Sequence, residues 1–286
     1  MNKANEIRNN VSSNYANAVE QTRKAGCCSA PAPGTVLTTL AGYKPEKLLS
    51  LPPDAVQSSF GCGNPVALAD IREGDTVLDL GAGAGIDLLL AAQRCGPKGK
   101  VIGVDMTPAM LERARANAAA AGFENIELRQ GIIEALPIES DSIDLLISNC
   151  VINLSPEKDK VFSEILRVLR PGGRFSISDI VAEPMPEWIR EDQLLYSACI
   201  AGAIPEQDYL EGLHQAGLTE VQVSERLSYD AQQLSGLLDS TAGGACCCGP
   251  TPLPSEQVER ISAALAGRVA SVRVTGSKPK PLQKSI

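Results

Sequence analysis

Cysteine is the residue type with the greatest chemical capacity in this sequence. The 286 residues include nine cysteines and a single histidine, His214. Because histidine is so scarce, a nitrogen-rich transition-metal site is disfavoured, and any inorganic ligand would be held by sulfur, which prefers soft ions. In a reducing compartment, nine cysteines favour metal, metalloid or redox chemistry over a framework of disulfides.

Three of the cysteines lie in separate motifs that are predicted to meet at one edge of a sheet. Cys150 ends the apolar strand IDLLISNC, on the side where open α/β sheets bind their ligands. Cys62, in SSFGCGNP, precedes a helix start at Asn64 and Pro65, and its segment would pass over the same cleft. Cys199, in YSACIAGAIP, is predicted to lie on a helix after the fifth strand, within an insertion that caps the cleft.

Three separated thiolates that converge on one point suit a trigonal soft ion with a lone pair. Arsenic(III) has that geometry and that softness. None of the three cysteines belongs to a Cys-x-x-Cys motif, so a preformed zinc finger is not indicated. For each of them the alternative is a small buried apolar residue, which is a common state of free cysteine.

The elements that must position these cysteines alternate between strand and helix from residue 75 onward. Strands are predicted at 76–83 (with the turn that follows), 100–106, 125–132, 143–150, 173–181, 219–227 and 268–278. Such alternation with short connections predicts an α/β fold with a mostly parallel sheet and helices on both faces. Ser155 and Pro156 are predicted to start the helix after the fourth strand, and residues 188–204 are predicted to be helical.

The chain is predicted to divide into four parts. Residues 1–74 form an N-terminal cap segment, 75–185 a cofactor-binding core, 186–255 an insertion with the late part of the sheet, and 256–286 a C-terminal helix and last strand. The net charge of −8 argues against nucleic acid or an anionic membrane as a partner. The start MNKANEIRNN lacks the apolar core of a signal peptide, and we expect a cytoplasmic monomer without a membrane segment.

A glycine-rich turn, DLGAGAG at 79–85, follows the first strand and opens a helix. Asp105 ends the next strand, about 20 residues on, where an acid binds the ribose hydroxyls of a nucleoside cofactor. A dinucleotide fingerprint would need glycine at position 86, which is Ile86, and the turn has no lysine or arginine for phosphate. An acidic turn of this kind suits a cofactor with positive charge and no phosphate, such as S-adenosylmethionine.

Several motifs resemble the seven-stranded S-adenosylmethionine-dependent methyltransferases: VLDLGAGAG, GVDMTPAML, QGIIEALP and LRVLRPGGRFSISD. The resemblance covers residues 75–227, and RVASVRVTGSK is similar to the last, antiparallel strand. It implies a Rossmann-like seven-stranded sheet, with the methionine part of the cofactor over the glycine turn, the ribose at Asp105 and the adenine along 131–134. Many members carry an acid at the position of Ile132, whereas here Glu134 follows two residues later, so the adenine contact falls to the Ile133 backbone or to the Glu134 side chain. The implied cofactor residues are Asp79, Gly81, Gly83, Gly85, Asp105, Met106, Ile133, Glu134 and Asn149.

A narrower resemblance joins the cysteine motifs to this fold. SSFGCGNP, the glycine turn, SNCVINLSPEK and SACIAGA together closely resemble the arsenite methyltransferases. The resemblance implies that Cys62, Cys150 and Cys199 bind trivalent arsenic, presented free or as a thiol conjugate, beside the methyl donor. It also implies a detoxifying enzyme that needs glutathione or thioredoxin as a reducing co-substrate. Two alternatives stay open: a methyltransferase for an organic small molecule, and an arsenite-binding protein without catalysis.

The remaining cysteines lie outside those motifs. Cys95, in the last turn of a helix, is interpreted as structural. Cys27 and Cys28, and the run Cys246, Cys247 and Cys248, lie in segments rich in glycine, proline and alanine. They are interpreted as thiols that capture arsenite for the buried site, the alternative being exposed thiols of no fixed role.

The C-terminal cysteine run gives a test of the capture interpretation. Replacing Cys246, Cys247 and Cys248 together by serine should leave turnover near wild type at saturating arsenite, because capture affects supply and not the methyl-transfer step. Only the slope of rate against arsenite at low concentration should fall, which steady-state assays would measure. A triple variant that is inactive at every arsenite concentration would instead place these thiols in the active site.

Overall fold

Strands and helices alternate through most of the chain and build one mixed sheet. The structure is a computed structural model and describes residues 3–24, 42–59, 61, 63–241 and 254–281. The strands are β1 Thr76–Leu80, β2 Lys100–Asp105, β3 Ile126–Gln130, β4 Ile143–Asn149, β5 Leu169–Ala182, β6 Thr219–Ser228 and β7 Val269–Ser277. The α-helices are α1 Lys3–Lys24, α2 Pro45–Leu48, α3 Pro53–Gln57, α4 Pro65–Leu68, α5 Ile86–Cys95, α6 Pro108–Ala120, α7 Lys158–Val168, α8 Glu187–Arg190, α9 Gln193–Ser197, α10 Glu206–Gln215, α11 Ala231–Thr241 and α12 Ser255–Leu265.

The strand order is β3-β2-β1-β4-β5-β7-β6. Neighbouring strands from β3 to β5 run parallel, and β7 is antiparallel to both of its neighbours. The order confirms the predicted seven-stranded, mostly parallel α/β sheet. It also reverses between β1 and β4, which opens a crevice at the carboxyl ends of these two strands, the place where such sheets bind ligands.

The central strands are mostly apolar and buried because helices cover both faces of the sheet. In β4 every residue from Ile143 to Ser148 is buried. Phe162 of α7 packs edge-on against Tyr209 of α10, with ring centroids 5.3 Å apart, and this pair closes one face of the core. None of the helices in the described part of the chain is long and apolar enough to cross a membrane.

Helix α1 lies across the carboxyl edge of the sheet and packs on α6 and α9. Its apolar side chains recur every four residues, and this spacing places Ile7, Val11 and Tyr15 on one face of the helix. Val11 is buried, and Ile7 and Tyr15 pack against the same core cluster as Cys150 and Cys199. The N-terminal segment is therefore packed onto the part of the core that carries these two cysteines.

Two predicted helix boundaries are wrong. The helix after β4 begins at Lys158 and not at Pro156 with Ser155 as its cap, because residues Ile152–Leu154 form a 3₁₀ turn and the Ser155 hydroxyl accepts a hydrogen bond from the Glu157 N–H at 3.1 Å. Residues 188–204 do not form one helix. Asp192 caps a new helix by accepting from the N–H groups of Leu194 and Leu195, so the segment divides into α8 and α9.

Asp179 is a buried charged group that ties three elements together. Its carboxylate, on β5, accepts hydrogen bonds from the Asn153 side chain at 2.9 Å and from the Tyr209 hydroxyl of α10 at 3.3 Å. Burial raises the pKa of Asp179 to about 6, although its backbone hydrogen bond from Ile180 and the charge of Lys158 oppose that rise. The carboxyl therefore binds its proton more tightly in the folded chain than in the unfolded one.

This shift predicts a pH-dependent contribution to stability. A raised pKa means that the contribution of Asp179 is fully present below about pH 4, the ordinary range of an aspartate, and is lost as the pH rises through about 6. In Asp179→Asn this loss should be absent, so that wild type should lose about 2 kcal/mol more than the variant in the free energy of unfolding between pH 4 and 7. Urea denaturation across that range measures it. The exposed Asp208→Asn on α10 is the matched control, and equal pH profiles for wild type and Asp179→Asn would contradict the assignment.

Candidate active site

A cavity opens at the carboxyl ends of β1, β2 and β4, where the strand order reverses. Its empty space, counted together with the part that is open to solvent, is about 960 Å³. Of the nine residues predicted to bind a cofactor, eight line it: Asp79, Gly81, Gly83, Asp105, Met106, Ile133, Glu134 and Asn149. Gly85 is the exception. It caps the start of α5 with φ 96°, and a Cβ there would contact Ala114 at 3.5 Å, away from the cavity.

The glycine turn brings bare backbone to the cavity wall. Gly81 has φ 64°, and a Cβ at this position would lie 2.3 Å from Val151, so only glycine fits. Gly83 has φ 51°, and a Cβ there would meet nothing nearer than the Gly81 carbonyl oxygen at 3.9 Å. The turn is therefore packed tightly on one side and open on the side of the cavity.

Asp105 is held rigidly at the end of β2. Its carboxylate accepts hydrogen bonds from the N–H of Gly83 at 3.0 Å and from the N–H of Thr107 at 2.8 Å. The first bond joins the end of β2 to the glycine turn, and the second fixes the start of α6. Burial raises the pKa of Asp105, and these backbone bonds oppose the rise.

Two further carboxylates give the cavity an acidic wall. Burial, followed by the charges of Asp87 and Asp105, raises the pKa of Asp79 well above its ordinary value. Burial also raises the pKa of Asp87, which accepts hydrogen bonds from the Tyr43 hydroxyl at 2.7 Å and the Asn149 amide at 2.9 Å. Three carboxylates around one cavity, two of them buried and one half-buried, favour a ligand that brings positive charge.

Helix α1 closes the cavity from above. Arg8 pairs with Glu134 at 2.9 Å and with Glu157, and so bridges the segment after β3 and the start of α7. The Ser12 and Thr107 hydroxyls are 3.2 Å apart, and the Tyr15 hydroxyl donates to the Ser197 carbonyl at 3.1 Å. Arg8, Val11 and Tyr15 themselves line the cavity. Any ligand bound there is covered by this helix.

Glu134 helps to hold α1 over the cavity. Its Oε1 accepts the Arg8 hydrogen bonds and also one from the Ser155 hydroxyl at 2.6 Å. The carboxylate is buried between α1 and the 3₁₀ turn after β4. One side of the Glu134 carboxylate is thus engaged within the protein.

Two of the three candidate arsenic-binding cysteines lie together beside the cavity. Cys150 follows β4, and the Cys199 sulfur lies 2.6 Å from its carbonyl oxygen. Both side chains are 3% exposed. Cys150 is disulfide-bonded, whereas Cys199 is a free thiol. Cys62 lies outside the described residues.

Both cysteines have left-handed backbone conformations, which are unfavourable for residues with a Cβ. Cys150 has φ 54° and donates its N–H to the Ser178 carbonyl at 2.8 Å. Cys199 has φ 62° and does not lie on a helix as predicted. It follows α9 in a Schellman motif. In this motif the Cys199 N–H donates to the Tyr196 carbonyl, and the Ile200 N–H donates to the Leu195 carbonyl. A cysteine thus occupies a position where glycine is usual.

Burial, and then the charge of Asp179, raises the pKa of Cys199 well above that of an ordinary thiol. Lys158 and the Tyr15 hydroxyl act in the opposite direction. The free thiol is therefore protonated at neutral pH, and a soft ion that binds it must displace the proton.

The other predicted cysteines do not join this group. Cys95 is fully buried on α5, where its thiol donates to the Ala92 carbonyl at 3.7 Å, in keeping with a structural role. Cys27, Cys28, Cys246, Cys247 and Cys248 lie outside the described residues. Within the part of the chain that the structure describes, no three cysteine, histidine, aspartate or glutamate side chains form a metal-binding group.

The contribution of α1 to the site was not predicted from the sequence. The repeat of Ile7, Val11 and Tyr15 was the available signal, because it predicts a helix face that must be covered. The pairing of Arg8 with Glu134 left no signal, since 126 positions separate the two residues in sequence.

The fold and the cavity define the class: a Rossmann-like, seven-stranded methyltransferase domain. A family model described as "Methyltransferase domain" matches residues 71–217, half of the chain.

Two curated relatives and one solved structure narrow the class. The arsenite methyltransferase of Halobacterium salinarum is 46% identical over 202 residues, which cover 70% of this chain and 51% of the relative. The human arsenite methyltransferase is 32% identical over 212 residues, 70% of this chain and 54% of the relative. The crystal structure of an arsenic(III) S-adenosylmethionine methyltransferase from Chlamydomonas reinhardtii has a TM-score of 0.62 and 34% identity, over 89% of this chain and 76% of that one.

The chain therefore belongs to the arsenite methyltransferases, within the S-adenosylmethionine-dependent methyltransferase superfamily. It spans about half the length of the curated relatives that it matches.

Arg8 provides a test of the closure by α1. In Arg8→Ala the helix should open more often, because a partly buried, charge-assisted contact worth about 2 kcal/mol is lost. Amide hydrogen exchange across residues 3–24 should then be roughly 30-fold faster, while exchange in the sheet stays unchanged. The exposed Asn9→Ala on the same helix is the control. Equal acceleration in both variants would show that Arg8 does not hold the helix in place.

Proposed function

We propose that this protein transfers methyl groups from S-adenosylmethionine to trivalent arsenic that is held by cysteine thiolates. The observation that carries the proposal is the placement of Cys150 and Cys199. Both are buried beside the cavity, with the sulfur of one 2.6 Å from the carbonyl oxygen of the other. Both have left-handed backbone conformations, which are strained for residues with a Cβ and which cluster at active sites.

The residues around the cavity fit S-adenosylmethionine by their chemistry. Asp79, Asp87 and Asp105 offer negative charge to its amine and sulfonium groups, and the glycine turn offers uncovered backbone. Asp105 would hold the ribose hydroxyls. Since Arg8 already pairs with Glu134, we assign the adenine contact to the backbone of Ile133. The bound cofactor supplies an electrophilic methyl group.

The cysteines prepare the arsenic substrate for that methyl group. Cys62, Cys150 and Cys199 would each form one As–S bond in place of a hydroxide or thiolate on the incoming arsenical, and the displaced group would leave as water or free thiol with the proton of the cysteine. The arsenic lone pair then stays free to act as the nucleophile, so that an As–C bond forms as the methyl–sulfonium bond breaks. No general base is needed, because arsenic carries no proton to be removed. The protein supplies orientation and, through α1, the exclusion of water.

The reaction also needs a thiol reductant. Methylation converts the arsenic lone pair into a bond and so raises arsenic from the trivalent to the pentavalent state. A return to trivalent arsenic takes two electrons, which two thiols supply by forming a disulfide, and glutathione or thioredoxin would then restore these thiols. The disulfide bond at Cys150 supports this assignment, because Cys150 must be reduced before it can bind arsenic.

Cysteine variants test the assignment of roles. Cys150→Ser should methylate neither arsenite nor monomethylarsenite, because a hydroxyl is a hard ligand that binds arsenic(III) poorly. Cys62→Ser should lose only arsenite methylation, since monomethylarsenite has two positions left for thiolates. Transfer of radiolabelled methyl groups with excess glutathione measures both reactions.

The buried Cys95→Ser is the matched control and should retain both activities. Cys150→Ser with near wild-type methylation of monomethylarsenite would remove Cys150 from the substrate site. Methyl transfer to an organic acceptor alone, or arsenite binding without consumption of the donor, would replace the proposed function with one of its two alternatives.

A further inference from the structure

The cavity has to bind a negative group of S-adenosylmethionine as well as its positive ones. The methionine part of the cofactor carries a carboxylate beside its amine, and the three aspartates of the cavity repel a carboxylate. Among the described residues that line the cavity, Arg8 has the one positively charged side chain, and its guanidinium is already paired with Glu134 and Glu157. The cofactor carboxylate therefore depends on neutral hydrogen-bond donors.

Most of the hydroxyl and amide side chains on the cavity wall are already hydrogen-bonded within the protein. These side chains are Tyr15, Thr107, Asn149 and Ser155. Among the described lining residues, the side-chain donors that remain are the hydroxyls of Ser58 and Ser59. Of the two, Ser58 is the more deeply buried.

The Ser58 hydroxyl is buried without a partner. Ser58 is 1% exposed, and its hydroxyl has no hydrogen-bond partner among the described residues. The backbone is fixed at the end of α3, where the Ser58 N–H donates to the Asp54 carbonyl at 3.0 Å. A hydroxyl that is removed from water and left unpaired destabilises a folded chain. Such a group on a cavity wall is explained if a ligand supplies its partner.

Ser58 lies at the end of the cavity that carries the glycine turn. Ala55, on the same short helix α3, belongs to one buried cluster with Ala82 of the turn. On the other side of Ser58, a Cβ at Gly61 would lie 2.3 Å from Asn149 Nδ2. Helix α5 also begins here, and the positive end of its dipole favours a negative ligand. This is the end at which the methionine part of the cofactor is expected.

We infer that the Ser58 hydroxyl donates a hydrogen bond to the carboxylate of S-adenosylmethionine. Ser58 is then a cofactor-binding residue in addition to those assigned from the sequence. A hydroxyl suits this place, because it binds a carboxylate without adding a positive charge that would compete with the amine and sulfonium for the acidic wall. The inference rests on the part of the proposed function that concerns the methyl donor, and it is independent of the arsenic substrate.

The affinities of Ser58→Ala for two ligands test the inference. The ligands are S-adenosylmethionine and decarboxylated S-adenosylmethionine, which keeps the amine and the sulfonium but lacks the carboxylate. Titration calorimetry without any arsenical measures both affinities. Ser58→Ala should bind S-adenosylmethionine roughly 10- to 100-fold more weakly than wild type, as expected when a hydrogen bond to a charged group is lost. Its affinity for the decarboxylated analogue should stay near that of wild type.

The stability of the protein without cofactor gives a second measurement. Removal of an unpartnered buried hydroxyl strands no donor or acceptor, so the free energy of unfolding of Ser58→Ala should equal or exceed that of wild type. Ser148→Ala on β4 is the matched control, because the Ser148 hydroxyl is also buried and unpartnered among the described residues but does not line the cavity. This control should bind both ligands as wild type does.

Three outcomes would overturn the inference. Equal losses for both ligands in Ser58→Ala would show that the hydroxyl does not act on the carboxylate. A lower stability of Ser58→Ala without cofactor would show that the hydroxyl supports the fold. A selective loss in Ser59→Ala, with none in Ser58→Ala, would assign the role to Ser59. Since no arsenical is present, a failure of arsenic methylation leaves these results unchanged, whereas a wild-type protein that binds neither ligand would contradict the methyl donor itself.

Discussion

The left-handed turn at Cys150 is the constraint on which the site depends. Because β4 stops at Asn149 and the next residue turns sharply, the Cys150 N–H bonds to β5 while its carbonyl faces Cys199. The turn lies at the point where the strand order reverses, so it borders the cavity as well. The contact with the glycine turn is tight, since Val151 leaves no room for a side chain at Gly81. Cofactor cavity and cysteine pair are thereby built around the same few residues.

The cavity and the helix that covers it carry opposite charges. The cavity has carboxylates at Asp79, Asp87 and Asp105, each with a pKa raised by burial, and its cover carries Arg8. A cationic cofactor would relieve the repulsion between the acids without a change of backbone. Where α1 covers the cavity it limits the access of water, and a less polar surrounding strengthens the electrostatic interactions there. We interpret α1 as part of the active site, although the family model begins only at residue 71.

The cysteines combine strain with burial. Cys150 and Cys199 both hold backbone conformations that glycine would adopt more easily, and Cys199 lies in a setting that raises the pKa of its thiol. Burial raises the pKa of the packing cysteine Cys95 as well, so it is the backbone strain that sets Cys150 and Cys199 apart. The strain is understandable if the turn at Cys150 must bring its carbonyl to the Cys199 thiol, a thiol that gives up its proton only to a soft ion. Cys95, with no such strain, shows what a packing cysteine looks like in the same chain.

The sequence by itself determined the sheet, the glycine turn, the acid at Asp105 and the thiol at the end of β4. These features are local, because strand and helix periodicity, turn glycines and the placement of a residue at a strand end are all written in short segments. Tertiary structure alone decided which distant groups meet. The pairing of Arg8 with Glu134, the exchange of hydrogen bonds between Asn149 and Gly63, and the turn that takes Cys199 off its helix depend on how separate segments pack. No local pattern encodes such contacts, because their free energy exists only once the sheet has brought the segments together.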